Sequence, residues 1–465
     1  MAKQREIRDP IHGFIQRSEL EEKIIDTKVF QRLRGIKQLA MANLVYPGAM
    51  HTRFGHSIGV MHVAGIMAKK LLPGDEDTIR TIRLSALLHD IGHGPFSHVS
   101  EDIVDKYYYK SKIKPKSKEK IHELITAEII RKDSEIKKHI SNTESDKIIG
   151  LLSGTRGESI EKSIISGPLD ADKQDYLLRD SYFCGVKYGV FDPDRLVSTL
   201  SLYDDQQDTI LAASQDGVYA IEQFVLAKYH MATQVYRHKI RLVTDAMIIR
   251  ALELGIEVDK IEWLNNLYAF DGTEEYINNY LQWDDARLIN ALLYGADQAT
   301  FAADIFRRLK NRELFKTVFR KSLREIESAE VRDFLANIKK ENGFCKIVEE
   351  QIADYLSSQM SCKIEAKHVI VSTFSIKSVR EQSRNDAGSI IILNNSGTPR
   401  YFEDESTLFR SIDERENDRC IEAYAPFKYI DDVDKRKKKA CFNEDIQNIL
   451  EASAKTFLSE RRDKK

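Results

Sequence analysis

The sequence contains few residues that interrupt helices and few that could form cross-links. Among 465 residues there are 9 prolines and 22 glycines, which excludes collagen-like or low-complexity character and permits many helices. The five cysteines are scattered and form no C-x-x-C pair, so we interpret them as free thiols in a reducing compartment and exclude a cysteine zinc site. They are Cys184, Cys345, Cys362, Cys420 and Cys441.

Long apolar runs and a surplus of one charge are also absent. No run of about 18 apolar residues could span a membrane, and the first ten residues lack the apolar core of a signal peptide, so we expect a cytoplasmic protein without membrane contact. With 71 Lys and Arg against 73 Asp and Glu, the net charge of -2 excludes nucleic-acid binding by overall charge alone. The lysine-rich stretch 106–120 predicts a basic loop, and binding of nucleic acid there stays an open alternative.

Apolar residues recur at helical intervals along most of the chain, which predicts a mainly α-helical protein. Helices are predicted over 27–39, 78–90, 123–131, 171–183, 218–233 and 239–254. From about residue 363 the sequence becomes rich in Ile, Val, Thr and Phe, and the turn signal at 394–397 lies between apolar runs. We therefore expect a small α+β lobe near the C-terminus, followed by a charged tail that is solvated or frayed.

Histidines are concentrated in two short segments. Five of the 12 histidines lie in HTRFGHS at 51–57 and HDIGHGPFSH at 89–98, and DADKQDY follows at 170–176. The adjacent His89 and Asp90 follow an apolar helical run, where both can reach one ion, and His56 with a distant aspartate can complete the set. Two imidazoles and two carboxylates suit Fe, Mn, Zn or Co, and such an ion can activate water and polarise a phosphoryl oxygen.

His56, His89-Asp90 and Asp172 match the H…HD…D signature, so the chain resembles the HD-domain metal phosphohydrolases. The ordered strings DPIHGFI, FQRLRGIKQL, HTRFGHSIGV, LLHDIGHGPFSH and DADKQDYLLRDS resemble the dNTP triphosphohydrolase branch. The chain is similar to a bacterial relative of the vertebrate sterile-alpha-motif and HD-domain enzyme, without the sterile-alpha-motif module. Together with the change in composition, this predicts an HD phosphohydrolase core at 1–250, a helical extension at 251–362, and a β-containing lobe with a charged tail at 363–465.

The resemblance implies roles for residues that match the family. It implies that one divalent metal is bound by His56, His89, Asp90 and Asp172. The metal would be Mn, Fe, Zn or Co, with Ni as a further alternative, and Mg would accompany the triphosphate. It also implies a catalytic histidine beside the α-phosphate, an acidic residue that orients it, and a second active-site histidine, which are His98, Glu101 and His122. Such a group can exchange protons near neutral pH.

A further set of residues matches positions that contact the substrate. The resemblance implies substrate binding by Gln38, Leu39, Arg53, Lys173, Tyr176, Asp180, Lys228 and Tyr236. Arg53 and Lys173 would supply positive charge for a triphosphate, and Asp180 would accept from the 3′-hydroxyl. Lys228 stands where the family has an arginine. The two tyrosines would form walls near sugar and base, with core packing as the alternative, and a family histidine is replaced near Ala232.

The family also has a regulatory nucleotide site between subunits. Asp26, Gln31 and Arg34 match its guanine-reading residues, which implies a GTP or dGTP activator and a homo-oligomer, most simply a tetramer. The basic residues expected at 213–216 are absent. The alternative is that Asp26 caps a helix and Arg34 is a surface charge.

The expected function is hydrolysis of a deoxynucleoside triphosphate to the deoxynucleoside and inorganic triphosphate, with activation by a guanine nucleotide. Two alternatives stay open. One is a different HD-domain nucleotidase or phosphodiesterase, which would share the metal but not the triphosphate product. The other is a nucleotide-responsive binding protein without turnover.

Overall fold

The structure is a computed structural model that describes most of the chain. The described residues are 5–108, 120–153, 159–205, 208–338, 341, 343–359, 363–376, 384–385, 388–411, 418–428 and 432–463. Most of the basic loop expected at 106–120 therefore lies outside the described residues.

Helices dominate the fold, so the predicted mainly α-helical class is confirmed. The helices are α1 (Glu19–Ile25), α2 (Lys28–Arg32), α3 (Arg53–Leu71), α4 (Glu76–Leu88), α5 (His98–Tyr108), α6 (Ile121–Lys132), α7 (Asn142–Leu152), α8 (Ile160–Ser166), α9 (Ala171–Cys184), α10 (Pro193–Thr199), α11 (Val218–His230), α12 (Lys239–Glu257), α13 (Glu262–Tyr268), α14 (Glu274–Tyr280), α15 (Asp285–Tyr294), α16 (Phe301–Lys310), α17 (Ala329–Ala336), α18 (Phe344–Ser358), α19 (Phe402–Glu405), α20 (Thr407–Arg410) and α21 (Asp432–Asp463). The strands are β1 (Glu6–Asp9), β2 (Gly13–Gln16), β3 (Leu200–Asp205), β4 (Asp208–Ser214), β5 (Lys316–Ser322), β6 (Ile370–Ile376), β7 (Arg384–Asn385), β8 (Gly388–Ser389), β9 (Ile391–Leu393), β10 (Pro399–Tyr401) and β11 (Asp418–Ala425).

The chain divides into two compact units, and each is assembled from separate stretches of sequence. The first unit comprises Met1–Tyr236, Lys260–Gln298 and Val379–Glu414, and the second comprises Arg237–Asp259, Ala299–Ser378 and Arg415–Lys465. The stretches predicted as an extension and as a C-terminal lobe each contribute to both units. The three-part division at 1–250, 251–362 and 363–465 stays a prediction, since compact units follow contacts rather than sequence order.

The first unit has a helical core around α3. This helix packs on α4 and α9, and it carries apolar residues on several faces, among which Val60, Ala64 and Met67 are fully buried. The helices predicted over 78–90, 123–131, 171–183 and 239–254 are confirmed as α4, α6, α9 and α12. The helix predicted over 218–233 is α11, which continues as a π-helical turn at Met231–Tyr236.

The helix predicted over 27–39 was too long. Helix α2 ends at Arg32, and a 3-10 turn at Leu33–Gly35 leads into extended backbone at Ile36. There Lys37 pairs with Thr52 as an isolated β-bridge. The apolar residues of this stretch are buried, but the bridge to Thr52 requires extended backbone at Lys37. The helical spacing of the apolar residues could not reveal that bridge.

The predicted β-rich stretch near the C-terminus is confirmed, but its strands belong to two sheets. In the first unit, β9 and β10 form a hairpin whose turn contains Gly397 at φ 75°, as the turn signal at 394–397 predicts. This hairpin extends the β3–β4 pair, and β9 runs parallel to β4. In the second unit, β11 lies between β5 and β6, antiparallel to both.

The expectation of a frayed tail was wrong for residues 432–463, which form the long helix α21. Ser459, Glu460 and Arg461 near its end are exposed, as a solvated tail requires. Phe442, Ile446, Leu450 and Ala454 recur every four residues, and each is at most 1% exposed in the core of the second unit. The high charge of the other positions conceals this narrow apolar stripe. Within the described residues, no helix is both long and apolar enough to cross a membrane.

Candidate metal centre and active site

Three helix termini bring four potential metal ligands to one place in the first unit. His56 lies in the first turn of α3, His89 and Asp90 follow the last turn of α4, and Asp172 lies in the first turn of α9. Asp170 caps α9 and accepts a hydrogen bond from a backbone N–H of its first turn, which fixes where that helix begins. The ligands therefore sit on rigid segments of the core.

The ligand atoms of the four residues are closely spaced. The Nε2 atom of His56 lies 3.0 Å from Oδ1 of Asp172 and 3.6 Å from Oδ2 of Asp90. The Nε2 atom of His89 lies 3.1 Å from Oδ1 of Asp90 and 3.9 Å from Oδ1 of Asp172. Bonds of about 2.0–2.3 Å to one ion place neighbouring ligand atoms roughly 3–4 Å apart, so the group of His56, His89 and Asp172 fits a single metal ion. Asp90 contacts the two imidazoles through different oxygens and lies beside this group.

The far side of each imidazole is held in the way that metal ligands require. Nδ1 of His56 lies 2.8 Å from Oδ2 of Asp175, and Nδ1 of His89 lies 2.7 Å from the carbonyl oxygen of Ala86. Each ring can therefore donate through Nδ1, which leaves Nε2 as the nitrogen that would bind a metal in place of a proton. Among the described residues, Nε2 of His89 is buried without a hydrogen-bond partner. The residues present thus fit a divalent metal.

The electrostatics of the cluster also favour a cation. Burial opposes the charged form of His56, but its contacts with Asp172, Asp175 and Asp90 outweigh burial and raise the pKa of His56 to about 10. Burial likewise opposes ionisation of Asp90, yet Arg53 and the adjacent imidazoles hold the pKa of Asp90 well below its usual range. The carboxylates are therefore ionised at neutral pH and attract positive charge.

A second group of side chains lies beside the ligands and is centred on Glu101. Its Oε1 atom lies 2.8 Å from Nδ1 of His93, 2.9 Å from Nδ1 of His98 and 3.1 Å from Nδ1 of His122. His93 also approaches the first cluster, because its Nε2 atom lies 3.2 Å from Oδ1 of Asp90. One carboxylate oxygen thus lies within 3.1 Å of three imidazole nitrogens and is hydrogen-bonded to that of His98. His93 also lies close to Asp90, a potential metal ligand.

The histidines of this group differ in exposure and in charge. His98 exposes 58% of its side chain, whereas His93 is buried and its ring stacks on that of His122 with centroids 4.1 Å apart. Burial lowers the pKa of His93 to about 3. Burial opposes ionisation of Glu101, but the three imidazoles outweigh it and hold the pKa of Glu101 below its usual range. His98 is the member best placed to meet a substrate.

Two residues of this network were missed by the sequence interpretation. His93 and Asp175 stand inside the strings that suggested the site, yet neither was assigned a role. A signal existed for His93, since it lies three residues after Asp90. Asp175 gave a weaker signal, because its contacts with His12 and His56 depend on how the chain folds back on itself.

The two basic residues predicted to meet phosphates are engaged with protein groups. Arg53 is buried, its Nη1 atom lies 2.6 Å from Oδ2 of Asp90, and its Nε atom donates to Oγ of Ser97. The Nζ atom of Lys173 donates to the carboxylate of Asp170. Arg53 therefore holds Asp90, a potential metal ligand, in place, and the charge of Lys173 lies at the start of α9.

The residues predicted to meet sugar and base form a second set of contacts. Oδ2 of Asp180 accepts a hydrogen bond of 2.6 Å from the hydroxyl of Tyr236, and Oδ1 lies 2.8 Å from Nε2 of His51. The rings of Tyr176 and Tyr236 meet edge to face with centroids 6.2 Å apart. The structure therefore brings together the predicted pair of tyrosines and the predicted acceptor. Both tyrosines are also partly buried against the apolar core of the first unit, as the alternative of core packing expects.

The remaining predicted substrate residues lie on two other segments. Gln38 is buried and, within the described part of the chain, its Oε1 atom has no hydrogen-bond partner. Leu39 belongs to the apolar core of the first unit. Lys228 lies in the last turn of α11 and is half-buried. An unsatisfied amide oxygen next to a site is a group that a ligand could satisfy.

The residues predicted to read guanine lie on the surface. Nε of Arg34 donates to Oε1 of Gln31, and the guanidinium lies 3.5 Å above the ring of Phe54. Asp26 is exposed and ends α1, while Thr27 caps α2, so the alternative of Asp26 as a helix N-cap was wrong. Arg34 is exposed, as the alternative of a surface charge expects.

Comparison with known proteins agrees with this architecture. The HD domain family matches residues 53–176, which contain the four potential ligands, and the HD associated region matches residues 191–450. The fold and the site together define an HD-domain protein. The chain belongs to the HD-domain phosphohydrolase family.

Three relatives illustrate the range of similarity. An uncharacterized protein of Methanocaldococcus jannaschii is 37% identical over 55% of this chain and 51% of its own length. The deoxynucleoside triphosphate triphosphohydrolase SAMHD1 of Gallus gallus is 28% identical over 66% of this chain and 55% of its own length. The chain thus spans about half the length of these two curated relatives. The crystal structure of a phosphohydrolase from Bacteroides thetaiotaomicron superposes with a TM-score of 0.68 at 26% identity, covering 91% of this chain and all of that one.

Proposed function

We propose that this protein hydrolyses deoxynucleoside triphosphates to the deoxynucleoside and inorganic triphosphate. The observation that carries the proposal is the exposed His98, held by Glu101 next to a group of three potential metal ligands, His56, His89 and Asp172, with Asp90 beside them. The similarity of the chain to a protein named deoxynucleoside triphosphate triphosphohydrolase supports dNTPs as substrates over other phosphate esters.

The metal would be held by His56, His89, Asp90 and Asp172. When bound, a divalent transition metal supplies Lewis-acid stabilisation of charge on a phosphoryl oxygen and lowers the pKa of water. Arg53 keeps Asp90 in place through the contact between Nη1 and Oδ2. The protein therefore contributes positioning and charge, which carry most of the catalysis of phosphoryl transfer.

His98 would act as the general acid at the departing 5′-oxygen. Glu101 holds Nδ1 of this ring, so Nε2 is the nitrogen that faces outward and can give a proton. In the proposed step, a water oxygen forms a bond to the α-phosphorus and the water gives up a proton to solvent. The bond from phosphorus to the 5′-oxygen breaks, and the 5′-oxygen receives the proton of His98. The hydrogen bond between Glu101 and Nδ1 of His98 keeps the orientation of His98.

The substrate would extend from the metal towards the two tyrosines. Asp180, Tyr176 and Tyr236 form a contact set that suits a sugar hydroxyl and a flat ring. Gln38 offers an amide oxygen that a hydroxyl could satisfy. Lys173 and Lys228 would supply charge for the phosphate chain, and Mg would accompany the triphosphate.

The test is product analysis with each dNTP in water labelled with oxygen-18. Inorganic triphosphate carrying the label, with an unlabelled nucleoside, is the expected result, because water would attack the α-phosphorus. The variant His98→Gln should turn over the dNTP far more slowly than the parent, and His139→Gln, a histidine outside this cluster, is the matched control. Labelled pyrophosphate or monophosphate would identify another HD-domain nucleotidase, and tight binding without turnover would identify a binding protein.

We also propose a homotetramer that is activated by GTP or dGTP at the segment of Asp26, Gln31 and Arg34. A carboxylate can accept from guanine N1 and N2, and Arg34 or Gln31 can meet O6. A ligand that binds between subunits must also stabilise the assembly. Light scattering and dNTP kinetics, each with and without GTP, test this: equal mass and equal rates in both conditions would contradict it.

A further inference from the structure

The turn between α14 and α15 lies against the histidine-rich loop that connects α4 to α5. The hydroxyl of Tyr280 donates to the carbonyl oxygen of Gly92 at 2.8 Å. Arg32 joins the two segments, because its Nε atom donates to the carbonyl of Trp283 and its Nη2 atom donates to the carbonyl of His93. The turn belongs to the HD associated region, so this region reaches the backbone of the HD site.

Asp285, the first residue of α15, directly follows this turn and clamps two segments that both lead to the site. Its Oδ1 atom accepts from the backbone N–H of Phe96 at 2.8 Å, and its Oδ2 atom accepts from the backbone N–H of Lys37 at 3.1 Å. The residue is 5% exposed, so neither bond competes with bulk water. A buried carboxylate with two backbone donors fixes the distance between those segments.

The segment that Asp285 holds has an unusual backbone. Phe96 and Ser97 have φ values of 64° and 53°, in the left-handed region that residues with a side chain rarely adopt. The hydroxyl of Ser97 donates to the carbonyl of Lys37, and it accepts from Nε of Arg53. Helix α5 begins directly after this bend, at His98.

We infer that Asp285 is a positioning residue for the reaction: it holds the left-handed bend at Phe96 and Ser97 against Lys37. This sets His98 on one side and Gln38 on the other. The role of His98 rests on the proposed function, whereas the clamp itself does not. The HD associated region thereby supplies part of the active-site framework rather than only a neighbouring fold.

The clamp can be tested without turnover by hydrogen exchange measured by mass spectrometry on the full chain. In Asp285→Asn, one of the two backbone donors loses its acceptor and faces an amide N–H₂. Peptides containing Lys37 and Phe96 should then exchange faster than in the parent. The matched control is Asp259→Asn, since Asp259 also accepts from two backbone N–H groups, at Phe301 and Ala302. The control should accelerate exchange only around residue 301.

Kinetics then separate positioning from stability. Asp285→Asn should lower kcat for dNTP hydrolysis by about a hundredfold, the loss expected from a misplacement of about 1 Å, with metal content and KM little changed. In a His98→Gln background the same change should have almost no further effect, because both act on one step. Tyr280→Phe, which removes only a hydroxyl, should lower kcat less and keep the fold.

Unchanged exchange at Lys37 and Phe96 in the Asp285 variant would overturn the clamp. Faster exchange together with an unchanged kcat, or full multiplication of the two losses in the double variant, would overturn its role in positioning His98. If the parent hydrolyses no dNTP, the proposed substrate fails, and the exchange experiment still decides whether Asp285 is a clamp.

Discussion

The metal cluster and the segment of Asp26, Gln31 and Arg34 were both predicted as ligand sites, but the fold treats them differently. In the metal cluster, Nε2 of His89 is buried without a hydrogen-bond partner among the described residues. In the segment, Arg34 donates to Gln31 and Gln31 donates to the carbonyl of Ile25. Polar groups that a protein buries and leaves open indicate a ligand, whereas groups that satisfy one another stay compatible with a plain surface.

The largest expected effect comes from removing a metal ligand. Asp172→Ala should abolish metal binding and turnover, because one of two anionic ligands is lost. Asp90→Ala should do the same, but it also leaves Arg53 buried without its partner, which destabilises the fold by about 3–5 kcal/mol. Inductively coupled plasma mass spectrometry measures the metal content, and the melting temperature measures the stability of the fold. The variant Asp146→Ala, at an exposed position, is the control. An Asp172→Ala protein with full metal content would show that Asp172 is not a metal ligand.

The next effect separates proton transfer from metal binding. His98→Gln should lower kcat by about 10²–10⁴-fold, the usual contribution of general acid–base catalysis, while the metal content stays that of the parent. Single-turnover kinetics measure this. Loss of the metal in this variant would show that His98 belongs to the ligand set instead.

A smaller effect is expected from the support behind a ligand. Asp175→Asn should weaken metal affinity by about 10–100-fold, because Asp175 holds Nδ1 of His56. Since Asp175 also pairs with Arg179, the melting temperature of the metal-free protein must be measured alongside. Competition with a chelator gives the affinity, and an affinity equal to that of the parent would contradict this role.

The smallest effect is expected in the segment of Asp26, Gln31 and Arg34, where the side chains of Arg34 and Gln31 are hydrogen-bonded within the segment. Arg34→Ala should leave the basal dNTP turnover intact and abolish activation by GTP or dGTP. Its contact with the Phe54 ring contributes about 0.5–1 kcal/mol at an exposed position, so the stability should change little. Arg8→Ala removes a similar exposed contact with Phe14 and serves as the control. Activation that survives in Arg34→Ala would leave the segment as a capped surface helix.

The apolar spacing predicted many of the helices. Two features that it did not predict, the early end of α2 and the parallel pairing of β9, have the same cause. Helix α2 ends early because Lys37 pairs with Thr52, and β9 finds its parallel partner β4 roughly 180 residues earlier in the sequence. Local propensity cannot anticipate such pairings. The prediction for the tail was wrong for a different reason. The apolar residues Phe442 and Ile446 are spaced as in a helix, but the many charged residues around them concealed this pattern.

The sequence by itself determined which residues could hold a metal, because adjacent His89 and Asp90 with a separate histidine and aspartate already form a ligand set. Only the tertiary structure decided how that set is supported. Asp285 reaches the site from a distant position in the chain, whereas His93 and Asp175 each lie three residues from a ligand, and the contacts of all three depend on the folded structure. A ligand needs a particular chemistry, which residue identity carries, whereas its orientation needs a fixed neighbour, which only folding provides.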